Sequence, residues 1–527
     1  MKYLFVLQYP GYLRYFDTVI KGLVANGHTV ATGYDIAHKQ PEGVEALAGT
    51  PIVDLGTVPK RSSEWNSLAR GLRGTIDYVR YLDPRFHDAI YLRDRMRKAL
   101  PPLMAPLGRL NTLSTATTNR MLDVLHVCER AVPPSETLTR FLKHERPDVV
   151  VVSPLVTDQC PQVDMVKAAQ ALGIPTALGV ASWDHLTTKG LMRIEPDLVL
   201  VWNPHQKAEA LAYHRVHEDR IVVTGAQPFD RWFGRAPSRS REEFCRTVGL
   251  PADRPIVLFV GSTASISNPE AETAFVREWA TRLRTELDRR ALKVSILIRP
   301  HPYNSAHWLN ADISDVEYAA VYPRHAANPV NERDRADYFD SMYHSVAVVG
   351  INTSAMIESA IVGRTVHTIL DPAFATTQEG TLHFRYLLPS NGGFLQAASN
   401  LDEHVAQLAE TVRDPEAGRS AVDNFVQSFV RPHGRTTAAT PLAIGALERL
   451  GARGDVPAIT MPRRLYPVRF MLWLLTCAAT GYSDPQRLKR QLALKASRWR
   501  KERERNREKA GRKATKQQAK REQQKAS

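Results

Sequence analysis

Runs of consecutive apolar, β-branched residues recur along this chain and scarcely alternate with polar positions: residues 149–152 are four valines, and residues 256–260 read Ile-Val-Leu-Phe-Val. A strand wetted on one face alternates apolar with polar side chains. Runs like these must be covered on both faces, which a parallel sheet achieves by packing helices on each side. A first series of strands is expected at residues 1–7, 29–32, 149–152, 176–180, 198–201 and 221–223, and a second at 256–260, 294–298, 346–351 and 366–369. Helical spacing separates them, as at residues 13–25 before Asn26-Gly27-His28 and 163–172 before Gly173-Ile174-Pro175. An α/β fold of two doubly wound halves follows. The break between them falls at 228–253, where Arg, Ser and Pro interrupt the pattern. Expected domains are 1–235, with a helical insertion at about 61–145, then 236–462, then a tail at 463–527.

Charge is distributed unevenly. The chain carries +15, and the stretch from Arg463 to Ser527 holds 20 Lys/Arg against 5 Asp/Glu, which leaves 50 residues of each sign in the first 462. A folded nucleic-acid-binding surface would need basic character on the domains themselves, so no nucleic-acid partner is expected. Six arginines of the insertion, at 70, 73, 80, 93, 95 and 97, read as a solvated helix face, with an anionic or membrane surface as the alternative. Four cysteines at 128, 160, 245 and 477 are too scattered for a disulfide framework or a zinc site and suit a reduced, cytoplasmic protein. The opening Met1-Lys2-Tyr3-Leu4-Phe5-Val6-Leu7 turns polar at Gln8 too soon for a secretory core and reads as a strand.

Chemistry is expected at the carboxyl ends of strands, where open α/β sheets bind ligands. Residues 346–351 run into Asn352-Thr353-Ser354-Ala355-Met356-Ile357-Glu358. Asn352 or Thr353 is placed to cap a helix that continues toward Gly363, so that its free N–H groups and dipole face a diphosphate, with Ser354 in the same turn. Residues 294–298 run into Arg299-Pro300-His301-Pro302, a fixed cation and a titratable donor for a leaving phosphate. The plainer alternative is that the prolines end the strand and His301 bonds a neighbouring loop. In the first half the corresponding loop is Gln8-Tyr9-Pro10-Gly11-Tyr12, which puts Gly11 and Tyr12 at the ligand-facing edge. Without GxGxxG no dinucleotide cofactor is expected, and without Asp-x-Asp no bound metal.

These motifs give the chain a resemblance to a known family. The architecture resembles the GT-B class of glycosyltransferases: two Rossmann-like domains facing a central cleft. The second half is similar to the CDP-glycerol glycerophosphotransferase family and related capsule-polymer transferases, in which a strand ending Arg-Pro-His-Pro is followed by an Asp-Tyr-Ser-Ser loop, an acidic residue and a Gly-Lys/Arg-Pro/Thr-Val turn. The counterparts are Arg299 to Pro302, Asn352 to Ala355, Glu358 and Gly363-Arg364-Thr365-Val366. The resemblance implies that Glu358 accepts from ribose hydroxyls. The family's Trp-His-Gly-Thr-Pro-Leu-Lys motif, whose His is taken as the base, is matched by Ser182-Trp183-Asp184-His185-Leu186-Thr187-Thr188-Lys189-Gly190. Trp183 and Lys189 align, but Asp184 stands at the base position and His185 is displaced by one, which favours a sugar over glycerol phosphate as the transferred group.

Transfer from a nucleotide-diphosphate donor needs a base for the acceptor hydroxyl. Asp184 and His185 are the candidates; the alternative is that Asp184 caps a turn and His185 packs. Gly225 is expected to allow close backbone approach at the end of the first half, and Arg431 and His433 to pack at a hinge before a returning helix at 438–450. In the tail, about 16 apolar residues around Phe470-Met471-Leu472-Trp473-Leu474-Leu475 are too few to span a bilayer and precede a basic extension, a combination that suits an anionic membrane surface. The expectation is a glycosyltransferase, peripheral on the inner face of the cell membrane, moving sugar from a nucleotide donor to a glycan or lipid-linked acceptor. Alternatives are a glycerophosphotransferase, a nucleotide-sugar 2-epimerase and a non-catalytic binding scaffold.

Overall fold

The computed structural model describes residues 1–36, 47–325, 328–329 and 331–483, and the single positions 493 and 497. Strands β1 (Lys2–Leu7), β2 (Thr29–Tyr34), β3 (Ile52–Thr57), β4 (Val149–Ser153), β5 (Thr176–Gly179), β6 (Leu198–Val201) and β7 (Ile221–Val223) form one parallel sheet in the order β3-β2-β1-β4-β5-β6-β7. Strands β8 (Ile256–Val260), β9 (Ser295–Arg299), β10 (Ala319–Val321), β11 (Ser345–Gly350), β12 (Thr365–Ile369) and β13 (Gln396–Ala398) form a second in the order β10-β9-β8-β11-β12-β13. In each sheet the order reverses at a central pair, β1/β4 and β8/β11, where crossover connections leave in opposite directions and open a crevice.

The missing alternation has a simple cause. Tyr3, Phe5 and Leu7 of β1 point into a core shared with the helices Asp17–Ala25 and Ala439–Ala452, while Leu4 and Val6 point into another shared with the helix Gln162–Leu172. Both faces are covered, so both sets of side chains are apolar.

The insertion folds as helices Asn66–Arg80, Ile90–Arg97, Thr115–Ala131 and Glu136–Glu145. The solvated-face expectation fails at two of its arginines, because carboxylates and carbonyls are enclosed with them. Arg73 is buried and pairs with Glu129 at 2.9 Å and Asp164 at 2.8 Å. Buried Arg80 donates to the main-chain oxygens of Lys189 (3.1 Å), Gly190 (2.9 Å) and Leu186.

The chain crosses between the halves twice, side by side. Gly225, at φ +88°, lies where an added Cβ would be 2.9 Å from the Ala439 side chain. Asp230 accepts from the N–H groups of Ala439 (3.1 Å) and Thr440 (2.6 Å) and from Arg431 (2.9 Å), while His433 meets the Val223 carbonyl at 2.9 Å. The helix Ala439–Ala452 then packs back on Asp17–Ala25 in the first half. Last comes the helix Tyr466–Ser483, whose Leu472 and Trp473 pack against Trp65, Ala69 and Val132. Phe470, Met471, Leu474 and Leu475 face outward. Among the described residues no helix is long and apolar enough to cross a membrane. Apart from 493 and 497, the basic extension past Ser483 lies outside the described residues.

Candidate active site

The carboxyl ends of the two sheets face each other across a cavity of about 420 Å³. From the first half come Tyr9, Arg14 and Tyr15 after β1, Ala181 to Asp184 after β5, and Lys189; from the second come Gly261 after β8, Arg299 to Tyr303 after β9, and Asn352 to Ala355 with Glu358 after β11. Gly261 is required by close approach, since a Cβ there would sit 2.7 Å from the His301 nitrogen.

Asp184 is fixed from several sides. Its carboxylate accepts from the Ser182 hydroxyl at 2.5 Å and the Thr188 hydroxyl at 2.8 Å. Burial pushes its acidity toward the neutral form, but Lys189, His185, His383 and the Ser182 hydroxyl outweigh it and hold the carboxyl well below the usual carboxylate range. An ionised carboxylate therefore faces the cleft at neutral pH. The loop behind it is clamped by the insertion: besides the Arg80 bonds, the Tyr81 hydroxyl donates to the Lys189 carbonyl at 2.7 Å and Arg95 to that of Thr188.

His185 does not line the cavity. It is buried against Tyr12, ring centroids 6.3 Å apart and nearly parallel, and burial lowers its pKa to about 4. Gly11 and Tyr12 also lie behind the cavity wall. The residues after β1 form a 3₁₀ turn, Pro10–Tyr15, which buries these two and turns Tyr9, Arg14 and Tyr15 toward the cleft. No sequence signal marks that rotation.

Across the cleft, the helix after β11 spans Ala355–Ile361 with Ser354 at its N-cap. The capping expected of Asn352 does not occur, because its amide is spent on the Thr377 carbonyl and approaches His383 Nε2 at 3.5 Å. Thr353 Oγ1 does accept from the Ala355 nitrogen, at 3.4 Å. Glu358 accepts from the Tyr338 hydroxyl at 2.7 Å, and burial raises its pKa. His301 accepts from the Tyr303 nitrogen at 3.2 Å; burial, aided by nearby Arg14, lowers its pKa to about 4, so it is uncharged at pH 7. Arg299 is committed to its surroundings: Nη1 donates to Asp337 at 2.9 Å and Ser341 at 2.8 Å, and the guanidinium lies over the Tyr338 ring.

Several lining residues carry no motif. His383, on the short helix Leu382–Arg385, stands edge-on to Trp183 at 4.6 Å, and burial holds it at about 4. Arg231, Trp232 and Arg235 come from the crossing segment, and Arg335, Tyr338 and Phe339 from the helix Glu332–Tyr343. Among the described residues no three His, Cys, Asp or Glu side chains converge as for a metal ion.

Two parallel sheets, opposed across a cleft at their carboxyl edges and tied together by the returning helix Ala439–Ala452, define the architecture. The fold is of the GT-B type. No protein-family model matches the sequence, and no curated protein matches it. Solved structures match by shape. A UDP-GlcNAc 2-epimerase from Neisseria meningitidis, bound to UDP-GlcNAc, superposes with a TM-score of 0.50 at 12% identity, over 85% of this chain and 100% of its own. A putative UDP-N-acetylglucosamine 2-epimerase from Listeria monocytogenes gives 0.50 at 12%, over 88% and 99%. A glycosyltransferase from Rickettsia africae gives 0.47 at 10%, over 85% and 98%.

Proposed function

We propose that this GT-B protein transfers a glycosyl group from a nucleotide-diphosphate sugar to a hydroxyl of a glycan or glycolipid. The observation that carries the reading is the opposition, across one cavity, of ionised Asp184 on the first half to the Ser354 helix start and Glu358 on the second. The nucleotide lies along the second half, with the ribose hydroxyls at Glu358 and the phosphates at the Ser354 turn. Asp184 accepts the acceptor proton as the new bond forms. Charge accumulating on the departing phosphate is met by fixed dipoles and cations in a site partly closed to water.

A second reading, 2-epimerisation of a nucleotide sugar, is supported by the two neighbours of TM-score 0.50, both named as epimerases of that kind. It leaves the outward apolar face of Tyr466–Ser483 and the basic stretch after it without a task. In the transferase reading these hold the enzyme to the anionic inner face of the cell membrane, beside a lipid-linked acceptor.

The test is product analysis with purified full-length protein and a panel of nucleotide donors, CDP-glycerol included, in deuterated water. Glycosyl transfer gives free nucleoside diphosphate in step with acceptor modification, whereas transfer of glycerol phosphate from CDP-glycerol gives CMP. Epimerisation gives deuterium at C2 of the donor sugar and no net nucleotide release. Neither outcome with any donor, together with no nucleotide binding, refutes both enzymatic readings.

A further inference from the structure

The basic side chains around the cleft are matched by acids unequally. Arg299 and Arg239 are matched by Asp337 and Asp340, which they bond at 2.6 to 2.9 Å. Lys189 is matched by Asp184. That leaves four guanidiniums, Arg14, Arg231, Arg235 and Arg335, with three carboxylates among the described residues. The first is Asp17, buried in the first turn of its helix; the second is Glu332, which bonds Arg235 and is mostly exposed; the third is Glu358, in the field of Arg14 and Arg231. With Glu358 ionised, one positive charge is in excess inside a partly enclosed cavity.

The excess is localised. Arg231 forks Asp17 at 2.5 and 3.0 Å and donates to the Arg14 carbonyl at 2.8 Å, so its charge is spent inside the protein. Among the described residues the Arg14 side chain donates only to the Tyr15 hydroxyl, at 2.5 Å. Arg335 stands 3.6 Å from Asp17, gives Nε to the Pro329 carbonyl, and keeps Nη2 buried with no hydrogen-bond partner among the described residues. Burial and the neighbouring Arg231 lower its pKa to about 10, the mark of a cation held where it is poorly matched. A buried guanidinium nitrogen with no acceptor is costly unless a ligand supplies one.

We propose that Arg14 and Arg335 are the counter-ions of the donor diphosphate, held in place by the Arg231–Asp17 pair. This rests on the nucleotide-sugar reading and moves the fixed cations of that site away from Arg299. A diphosphate esterified at both ends carries two negative charges, and a cavity with net positive charge suits it. Glu358 and His301, on either side of the phosphate path, both lie within the field of Arg14. Because Arg14 belongs to the first half and Arg335 to the second, phosphate binding draws the halves together.

Inorganic pyrophosphate isolates the phosphate contribution from that of the base. Isothermal titration of the full chain with pyrophosphate, UDP and uridine is compared for the parent, Arg14→Gln, Arg14→Lys, Arg335→Gln and Arg299→Lys, each with its melting temperature. Each glutamine variant is expected to weaken pyrophosphate and UDP at least about tenfold while leaving uridine within about twofold. Arg14→Lys should recover part of the loss, and added salt should narrow the gap between parent and variants. Arg299→Lys should lower the melting temperature and leave pyrophosphate affinity within about twofold. If both glutamine variants bind pyrophosphate like the parent, or if only Arg299→Lys loses it, the assignment is overturned and the nucleotide reading stands. A parent that binds neither UDP nor any other nucleoside diphosphate overturns both.

Discussion

Replacing Arg80 by leucine separates support of the catalytic loop from the chemistry itself. Arg80 is enclosed and makes no ion pair within 4.0 Å among the described residues, and its guanidinium serves three main-chain oxygens on the loop that carries Asp184 and Lys189. Two of these keep another donor when it is lost: the Lys189 oxygen retains the Tyr81 hydroxyl at 2.7 Å, and that of Leu186 retains His214 at 2.7 Å. Among the described residues only the Gly190 oxygen loses its sole side-chain donor. An orphaned buried carbonyl costs about 1–3 kcal/mol, and losing the second bond at two others about 0.5–1 kcal/mol each. Relief of a desolvated guanidinium, whose pKa burial lowers, offsets part of this. The expected net loss is about 2–3 kcal/mol, or roughly 4–9 °C in melting temperature at about 2–3 °C per kcal/mol for a unit of this size. Displacing Asp184 by even a fraction of an ångström should lower kcat at least about tenfold, equal to about 1.4 kcal/mol of barrier. Nucleoside diphosphate affinity, which is assigned to the second half and to Arg14 on the turn after β1 rather than to the loop that Arg80 holds, should stay within about twofold. Differential scanning calorimetry, steady-state kinetics and titration with UDP read the three quantities. A variant that melts within about 1 °C of the parent, or that loses nucleotide affinity in step with kcat, refutes the loop-support argument.

Asp184→Asn keeps the shape and removes proton acceptance, so kcat should fall at least about a hundredfold with nucleotide affinity retained; retained turnover excludes it as the base. Burial raises Glu209, which neighbours Tyr386 and Arg80, to about 8, so the folded chain holds a proton there that the unfolded chain releases above its ordinary 4.5. Stability at this group is thus full below about pH 4.5 and lost as pH rises toward 8, and Glu209→Gln should raise the urea midpoint at pH 8 and leave it unchanged at pH 4.5. Phe470→Ser with Leu474→Ser, both outward-facing, should leave the melting temperature unchanged and weaken co-sedimentation with anionic vesicles mainly at high salt, where the basic stretch is screened. Trp473→Ser, which faces Trp65, should instead destabilise the chain.

Strands buried on both faces were legible almost to the residue. Residues 198–201, 221–223 and 256–260 are β6, β7 and β8 without adjustment. The strands that escaped notice, β3, β10 and β13, are all at sheet edges. Ile52–Thr57 is half exposed and contains Asp54 and Gly56, while β10 and β13 are three residues long and take their conformation from a neighbour's ladder. At the site, residues directly following a core strand were readable: Asp184, Arg299, His301, Asn352 to Ser354 and Glu358 all line the cavity, as does Lys189. Which way a side chain turns after such a strand was not, as Gly11, Tyr12 and His185 show. Neither was the commitment of Arg299 to Asp337, since its partner lies 38 residues away on a helix. Arg231, Arg335 and His383 reach the cavity from a crossing segment, a helix flank and a short helix far along the chain. Only tertiary packing places them.

The return of Ala439–Ala452 to the first half has a consequence for synthesis. That helix supplies Ala443, Ile444, Ala446, Leu447 and Leu450 to the core containing Tyr3, Phe5, Val19 and Leu23. When the ribosome has finished β7 at Val223, one face of the first sheet still lacks this cover, and about 200 residues remain to be translated before it arrives. At roughly 5–20 residues per second the nascent sheet waits on the order of 10 to 40 s with apolar surface bare. A fragment ending near residue 235 never receives the helix. Its solubility, with and without Ala439–Ala452 supplied as a separate peptide, measures how far the start of this protein relies on its later part to fold.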